Sequence, residues 1–261
     1  MQTKIKKIRK LFASKLLVEK GFCSSLTEAA ALIYAGKVLA DEQRITKPGE
    51  RISEQAILRI KTKGKYVSRG GDKLFNAIVE LGLSELFADT LVLDIGASKG
   101  GFTDCVLQLG AREVLALDVG TNQLDWRLRT DARVTCIEQT DIRTFNTRSD
   151  LPLDWILADI SFNSLERLAP TLMKLASPQS RLLILVKPQF ELPKSDIPDG
   201  GVVLAEELWE KAITRVSQSF LKLGAGNLLV ARSALKGRRG NQEFFLYFTV
   251  SESGAGRPSG S

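Results

Sequence analysis

From Leu91 onward, short unbroken apolar runs alternate with stretches whose apolar positions recur at helical spacing. Leu91–Asp94, Val114–Asp118, Val134–Ile137, Trp155–Ala158 and Arg181–Val186 read as strands buried on both faces. Helices are predicted at about 72–82, 101–109, 122–128, 164–176 and 204–221. Two late strands, Leu228–Arg232 and Glu243–Val250, follow each other without a helix and predict a closing hairpin. The alternation implies an α/β fold, a mostly parallel, doubly wound sheet with helices on both faces.

The first sixty residues have a different texture. Ile8, Leu11, Phe12 and Leu16 fall at helical spacing and predict a helix from 8 to about 17. A second helix starts at a cap supplied by Ser24 or Ser25, with Glu28 three residues after Ser25, and ends at Gly36. Short strands follow at Lys37–Ala40, around Ile45 and at Ala56–Ile60, with Lys47-Pro48-Gly49 as a breaker. The chain thus divides into a small α+β domain at 1–62, a linker at 63–67 and an α/β domain at 68–250. A low-complexity tail at 251–261 is expected to be disordered.

Charge sharpens this division. Residues 1–63 carry 14 basic against 6 acidic side chains, while the whole 261-residue chain is only +7, so the larger domain is close to neutral. A basic head on a neutral body predicts a polyanionic partner for the head. No apolar run approaches the roughly 20 residues that span a bilayer, and no apolar segment of a secretory signal follows the basic start. Cys23, Cys105 and Cys136 are odd in number and far apart, which argues against a disulfide framework or a zinc site and predicts a cytoplasmic protein. The chain has no histidine, so Ser-His triads and His-based zinc hydrolysis are excluded. Proton transfer falls to Lys, Asp, Glu, Tyr or Cys.

The most informative segment is Asp94-x-Gly96-Ala97-Ser98-Lys99-Gly100-Gly101-Phe102, a strand end, a glycine-rich turn and a helix start. Ser98 occupies the second glycine position of a dinucleotide fingerprint, and Phe102 stands where a P-loop needs lysine. The remaining pattern is similar to the first motif of S-adenosylmethionine-dependent methyltransferases. Glycines there let the backbone approach the methionine part of the ligand, with helix-start amides facing its carboxylate. Asp94, Asp118, Asp141 and Asp159 all follow strands, where a doubly wound sheet binds its ligand. A single such Asp is more often a helix cap, but four beside one glycine loop favour acceptors for ribose hydroxyls and an adenine amine. Lys73 opens the first helix of the larger domain, and Lys187 ends an apolar strand on the same sheet edge as Asp159. A lysine there is costly unless paired.

The segments Lys15–Gly21, Ser24-Ser25, Glu28-Ala29, Leu32–Val38 and Thr46–Glu50 resemble the S4 RNA-binding domain over about residues 8–62. That resemblance makes Lys10, Lys15, Lys20, Lys37 and Arg44 candidate RNA contacts. Ser68-Arg69-Gly70-Gly71-x-Lys73, the glycine loop, Asp118-Val119-Gly120, Ala158-Asp159-x-Ser161-Phe162, Val186-Lys187-Pro188-Gln189-Phe190-Glu191 and Gly240-Asn241-x-Glu243 are similar to the TlyA family. The resemblance implies a Rossmann-like S-adenosylmethionine-dependent methyltransferase sheet behind an S4-like head. The implied activity is 2′-O-methylation of a ribose in ribosomal RNA, with a cytidine as the expected target and rRNA or ribosomal subunits as partners. It also implies an FtsJ-like tetrad of Lys73, Asp159, Lys187 and Glu243, with Lys187 at the 2′-oxygen. The cofactor residues it implies are Asp94, Gly96, Ala97, Ser98, Gly100, Gly101, Phe102, Asp118 and Asp141, with no metal. Lys99 departs from the usual threonine, Thr121-Asn122 from Tyr-Gly, and Arg238 from a common proline. Two other readings remain, a membrane-active hemolysin, after the family's frequent label, and a non-catalytic ribosome assembly factor.

Overall fold

The computed structural model describes residues 9–60, 64–146, 152–161, 163–237 and 239–250. Ile8, Phe162, Arg238 and the tail at 251–261 lie outside the described residues, as does the start of the expected linker. The chain forms two units, Met1–Gly64 and Lys65–Ser261.

In the smaller unit the expected first helix is shorter than its apolar spacing suggested. Lys10–Phe12 is strand β1, and helix α1 begins only at Ala13 (Ala13–Glu19). Leu11 is buried while Lys10 and Phe12 face solvent, so a period of two wins over the helical one. Strand β1 pairs antiparallel with β4 (Arg51–Ser53). Helix α2 (Leu26–Tyr34) starts as its sequence demands. Ser25 accepts the Glu28 N–H, and the Glu28 carboxylate accepts from both the N–H and the hydroxyl of Ser24. Strand β2 (Val38–Ala40) lies between β3 (Gln43–Arg44) and β5 (Leu58–Ile60). Leu16, Leu17, Ile33, Val38 and Ile45 form the core between helices and strands.

Tyr66 and Val67, read as linker, are built into the larger unit. Tyr66 is buried in its core, and the Val67 N–H donates to the Asp104 carboxylate at 2.8 Å. Helix α3 (Arg69–Glu80) follows, capped by Ser68. The elements after it are β6 (Leu91–Ile95), α4 (Gly101–Gln108), β7 (Glu113–Leu117), α5 (Trp126–Arg129), β8 (Val134–Ile137), β9 (Trp155–Ala158) and α6 (Leu165–Leu175). Strand β10 (Arg181–Val186), α7 (Pro188–Glu191), α8 (Glu206–Leu221), β11 (Ala225–Arg232) and β12 (Phe244–Val250) complete the unit.

Among the described residues these strands form one seven-stranded sheet of order β11-β12-β10-β9-β6-β7-β8. It is parallel except for β12, which runs antiparallel to both β10 and β11. The late hairpin therefore folds its second strand inward. One face packs Leu74, Ile78, Phe102 and Val106 of α3 and α4, and the other packs Leu168, Leu172, Val216 and Phe220 of α6 and α8. Chain order reverses between β6 and β9, and the carboxyl ends of those two strands open a crevice there.

Two glycines set how closely the crevice is bounded. A Cβ on Gly71 would overlap the Tyr66 ring and lie 2.8 Å from the Gly101 carbonyl oxygen. A Cβ on Gly101 would strike Ser68 and lie 2.8 Å from the Gly71 nitrogen. The starts of α3 and α4 thus meet backbone to backbone. Gly71→Ala would gain up to about 1 kcal/mol of helix propensity but incur an overpacking cost of about 1–3 kcal/mol. We expect net destabilisation, read as a lower urea midpoint for the larger unit; an unchanged or higher midpoint would show that the crossing is not tight.

Candidate active site

The turn after β6 holds its shape through its own amides. Gly96 and Gly100 take φ of +79° and +87°, a region that suits glycine. A Cβ on Gly96 would lie 2.6 Å from the Asp159 carbonyl oxygen, so the turn passes directly over the end of β9. Asp118, at the end of β7, accepts the Ser98 N–H at 2.8 Å and the Gly120 N–H at 2.7 Å. It braces the glycine turn while lining the crevice.

The strand-end acids differ in position. Asp94 is fully buried beneath the turn, off the cavity wall. Its Oδ2 accepts the Thr103 N–H at 3.0 Å and the Thr103 hydroxyl at 2.6 Å. Within a five-residue strand buried throughout, this acid fastens the start of α4 through Oδ2, while its Oδ1 has no hydrogen-bond partner among the described residues. Burial pushes its carboxyl up to about 7 against the opposing Thr103 bonds. Gly100 likewise faces protein, because Leu124 and Leu128 fill the space a Cβ would need. Phe102 is buried in the core, 5.9 Å from the Phe245 ring, with an edge on the cavity. Ala97, Ser98 and Gly101 line the cavity. Asp141 also lines the crevice, but both oxygens engage Arg143, which holds its carboxyl down at about 2.

Lys73, Asp159, Lys187 and Glu243 come together from α3, β9, β10 and the start of β12. Lys73 Nζ lies 2.5 Å from Glu243 Oε2, with side-chain exposures of 10% and 4%. Lys187 Nζ lies 2.5 Å from Asp159 Oδ1 and also donates to Ser161 Oγ at 2.8 Å and to the Ile160 carbonyl at 3.2 Å. Each buried ammonium is matched by one carboxylate, which such burial requires. All four line a cavity of about 610 Å³ that also holds Asp118 and Asp141. Among the described residues no group of three or more His, Cys, Asp or Glu could hold a metal ion.

Three further residues stand in the family motifs, but the sequence reading gave them no role. Glu191 accepts the Ser164 hydroxyl at 2.7 Å and the Leu165 N–H at 3.0 Å, capping α6 from a buried position that raises its carboxyl pKa. Asn241 accepts the Val203 N–H at 2.8 Å and donates to the Gly201 carbonyl at 2.9 Å, tying that loop beside Glu243. Ser161 steadies Lys187. Their signal was a polar residue inside or beside each lysine- or acid-bearing segment.

In the smaller unit, Lys10, Lys37 and Arg44 are exposed. Arg44 lies across Gly36, beside Lys37. Lys15 is exposed and 3.8 Å from Glu19. Lys20 donates to the Ala56 carbonyl at 2.8 Å and so also braces the fold.

Comparison with known proteins matches residues 66–250 to the FtsJ-like methyltransferase family and residues 14–58 to the S4 domain. Hemolysin A of Brachyspira hyodysenteriae is 36% identical over 88% of this chain and 96% of its own. The 16S/23S rRNA (cytidine-2′-O)-methyltransferase TlyA of Mycobacterium tuberculosis is 38% identical over 88% of this chain and 87% of its own. A solved Streptococcus thermophilus structure labelled a hemolysin superposes with a TM-score of 0.71 at 35% identity, covering 94% of this chain and 90% of that one.

The raised Asp94 pKa has a stability consequence with a definite sign. Between about pH 4, where an unfolded Asp titrates, and about 7, where this one does, the folded state holds a proton that the unfolded chain has released. Its contribution is full below that window and falls as pH rises through it, by at most about 1.4 kcal/mol per pH unit. Asp94→Asn keeps an acceptor for Thr103 without the titration. The urea midpoint of the variant relative to the native protein should rise from pH 4 to 7 and then level off; a pH-independent difference would refute the assignment.

Proposed function

The chain belongs to the FtsJ-like methyltransferase family, and on that premise we propose that it transfers a methyl group from S-adenosylmethionine to a ribose 2′-hydroxyl of ribosomal RNA, at a cytidine. The observation that carries this reading is the meeting of two lysine–carboxylate pairs with a glycine turn at one switch point of the sheet. The rRNA substrate and the cytidine rest on the activity named for the Mycobacterium relative.

The cavity fits the cofactor by its chemistry. Gly96 leaves no space for a side chain between the turn and β9, so the backbone itself forms that wall. Gly96, Ala97 and Ser98 would hold the methionine part. Asp118 and Asp141 would accept from the ribose hydroxyls and adenine amine, since a carboxylate oxygen has lone pairs beyond those given to amides. When bound, S-adenosylmethionine supplies a methyl group already activated as a sulfonium.

The protein's task is then to align the attacking oxygen and remove one proton. Lys187, fixed by Asp159, Ser161 and the Ile160 carbonyl, is assigned to the 2′-oxygen; once its ammonium has released a proton to solvent, the neutral amine takes the hydroxyl proton as the oxygen bonds to the methyl carbon and the carbon–sulfur bond breaks. Lys73 and Glu243, on the wall of the same cavity, would form a second charge pair that orients the ribose. The smaller unit would hold the RNA through Lys10, Lys15, Lys20, Lys37 and Arg44, contacts that position without reading sequence. A membrane-lytic role has less support, because no helix among the described residues is long and apolar enough to cross a membrane.

Lys187→Ala should lower methyl transfer to ribosomal subunits from a gene-deleted strain by about 10²-fold or more. Its affinity for S-adenosylmethionine by calorimetry should stay within about twofold, which also reports an intact fold. Turnover near the native rate would sink the role of Lys187. Mass spectrometry that found no 2′-O-methylated nucleotide added by the native protein would sink the reading as a whole.

A further inference from the structure

The wall of the main cavity comes from two sets of strand ends. Gly96, Ser98, Asp118 and Asp141, assigned above to the cofactor, follow β6, β7 and β8. Lys187 and Gln189 follow β10, while Gly237, Arg239 and Glu243 belong to the connection from β11 into β12. In the sheet β12 lies beside β10 but four strand spacings from β7, about 19 Å. Arg239 therefore belongs to the half of the cavity that holds Lys187 and Glu243, away from the acids assigned to the cofactor.

The turn that carries Arg239 is fixed against the tetrad. The Gly240 N–H donates to the Gly237 carbonyl, and the Gly237 N–H to the Asn241 carbonyl, each at 2.9 Å. A Cβ on Gly237 would lie 2.5 Å from Glu243 Oε1, so the turn rests directly on that carboxylate. Asn241 ties the same turn to the loop at Gly201 and Val203. Among the described residues the side chain of Arg239 is exposed and forms no hydrogen bond or ion pair. The other cations on this wall, Lys73 and Lys187, are each committed to a carboxylate. A guanidinium so placed keeps its whole fork of donors for an oxyanion, and phosphate fits that fork.

We infer that Arg239 is a positioning residue that grips the phosphodiester of the ribose being methylated. The inference rests on the proposed 2′-O-methylation. In RNA the 3′-phosphate is attached to the carbon adjacent to the one bearing the 2′-hydroxyl. A ribose seated at Lys187, at the end of β10, thus brings a phosphate to the neighbouring strand mouth, where Arg239 is the cation without an internal partner. Because the turn is fixed on Glu243, holding that phosphate also sets where the hydroxyl lies relative to Lys187.

The test uses the full chain with Arg239→Ala and Arg239→Lys, a fluorescent single-stranded oligoribonucleotide titrated at several salt concentrations, and methyl transfer to ribosomal subunits. Loss of one phosphate contact in Arg239→Ala should reduce the slope of log affinity against log salt by about 0.7. It should also lower kcat/KM for the subunits roughly ten-fold, as expected for a charge-assisted hydrogen bond. Arg239→Lys keeps the charge without the fork, so the slope should return and kcat/KM recover in part. Affinity for S-adenosylmethionine by calorimetry should be unchanged in both, which also reports an intact cavity. The control Lys222→Ala, at an exposed position off the cavity, should change neither RNA readout. Unchanged slope and kcat/KM in Arg239→Ala would overturn the inference, as would an equal loss in the control. So would weaker S-adenosylmethionine binding with RNA binding intact, which would assign Arg239 to the cofactor. If the slope falls as expected but the native protein methylates no rRNA, the phosphate contact stands and the proposed reaction fails.

Discussion

The ion pair between Lys73 and Glu243 joins positions 170 residues apart, one near the start of the larger unit and one at the mouth of its last strand. An ammonium buried there without its partner would be severely destabilising, and the carboxylate equally so. The pair depends on the place of β12 between β10 and β11, which sets Glu243 against Lys73 of α3. Native closure of the fold and assembly of the site are therefore one event. Lys187 and Asp159 make the local counterpart, since their strands are hydrogen-bonded neighbours and bring the two residues to one edge.

Around this pairing the acids divide their duties by depth. Asp94 faces inward and fastens the start of α4. Asp118, one strand over, faces the crevice and still braces the turn through two amides. Asp141 is further out, and its charge is balanced by Arg143. Asp159 is balanced by Lys187. The same residue type at four strand ends thus serves as buried fastener, cavity acceptor, paired rim charge and lysine anchor. Backbone position and neighbouring charge decide which, not residue identity.

Most strands and helices of the larger unit were legible because their apolar period was long and uninterrupted. Val134–Ile137, Trp155–Ala158 and Arg181–Val186 have the bounds that their composition suggests. Legibility failed where elements are very short. Lys10–Phe12 offers one buried side chain, which fits a strand and a helix equally well, and Arg51–Ser53 contains a single aliphatic residue, Ile52. Tyr66 and Val67 were hidden in a polar, basic stretch, since their burial depends on α3 and α4 meeting above them. The tetrad positions were readable as charges at apolar strand ends and, for Lys73, at a helix start, but their pairing was not, because only the tertiary arrangement says which of these ends are adjacent. Nor does the sequence of a strand state that Asp94, next to last in β6, fastens α4 through Thr103.

The glycines at 71 and 101 connect packing to electrostatics. By removing side chains from the crossing of α3 and α4, they let two positive helix ends approach each other closely. Such an approach is unfavourable in itself, and adding Arg69 and Lys99 makes it more so. The fold can tolerate this because the sheet beneath is anchored elsewhere, by the apolar faces of the helices and by the buried pairs at the strand ends. Stability is thus concentrated below the crevice and positive potential above it.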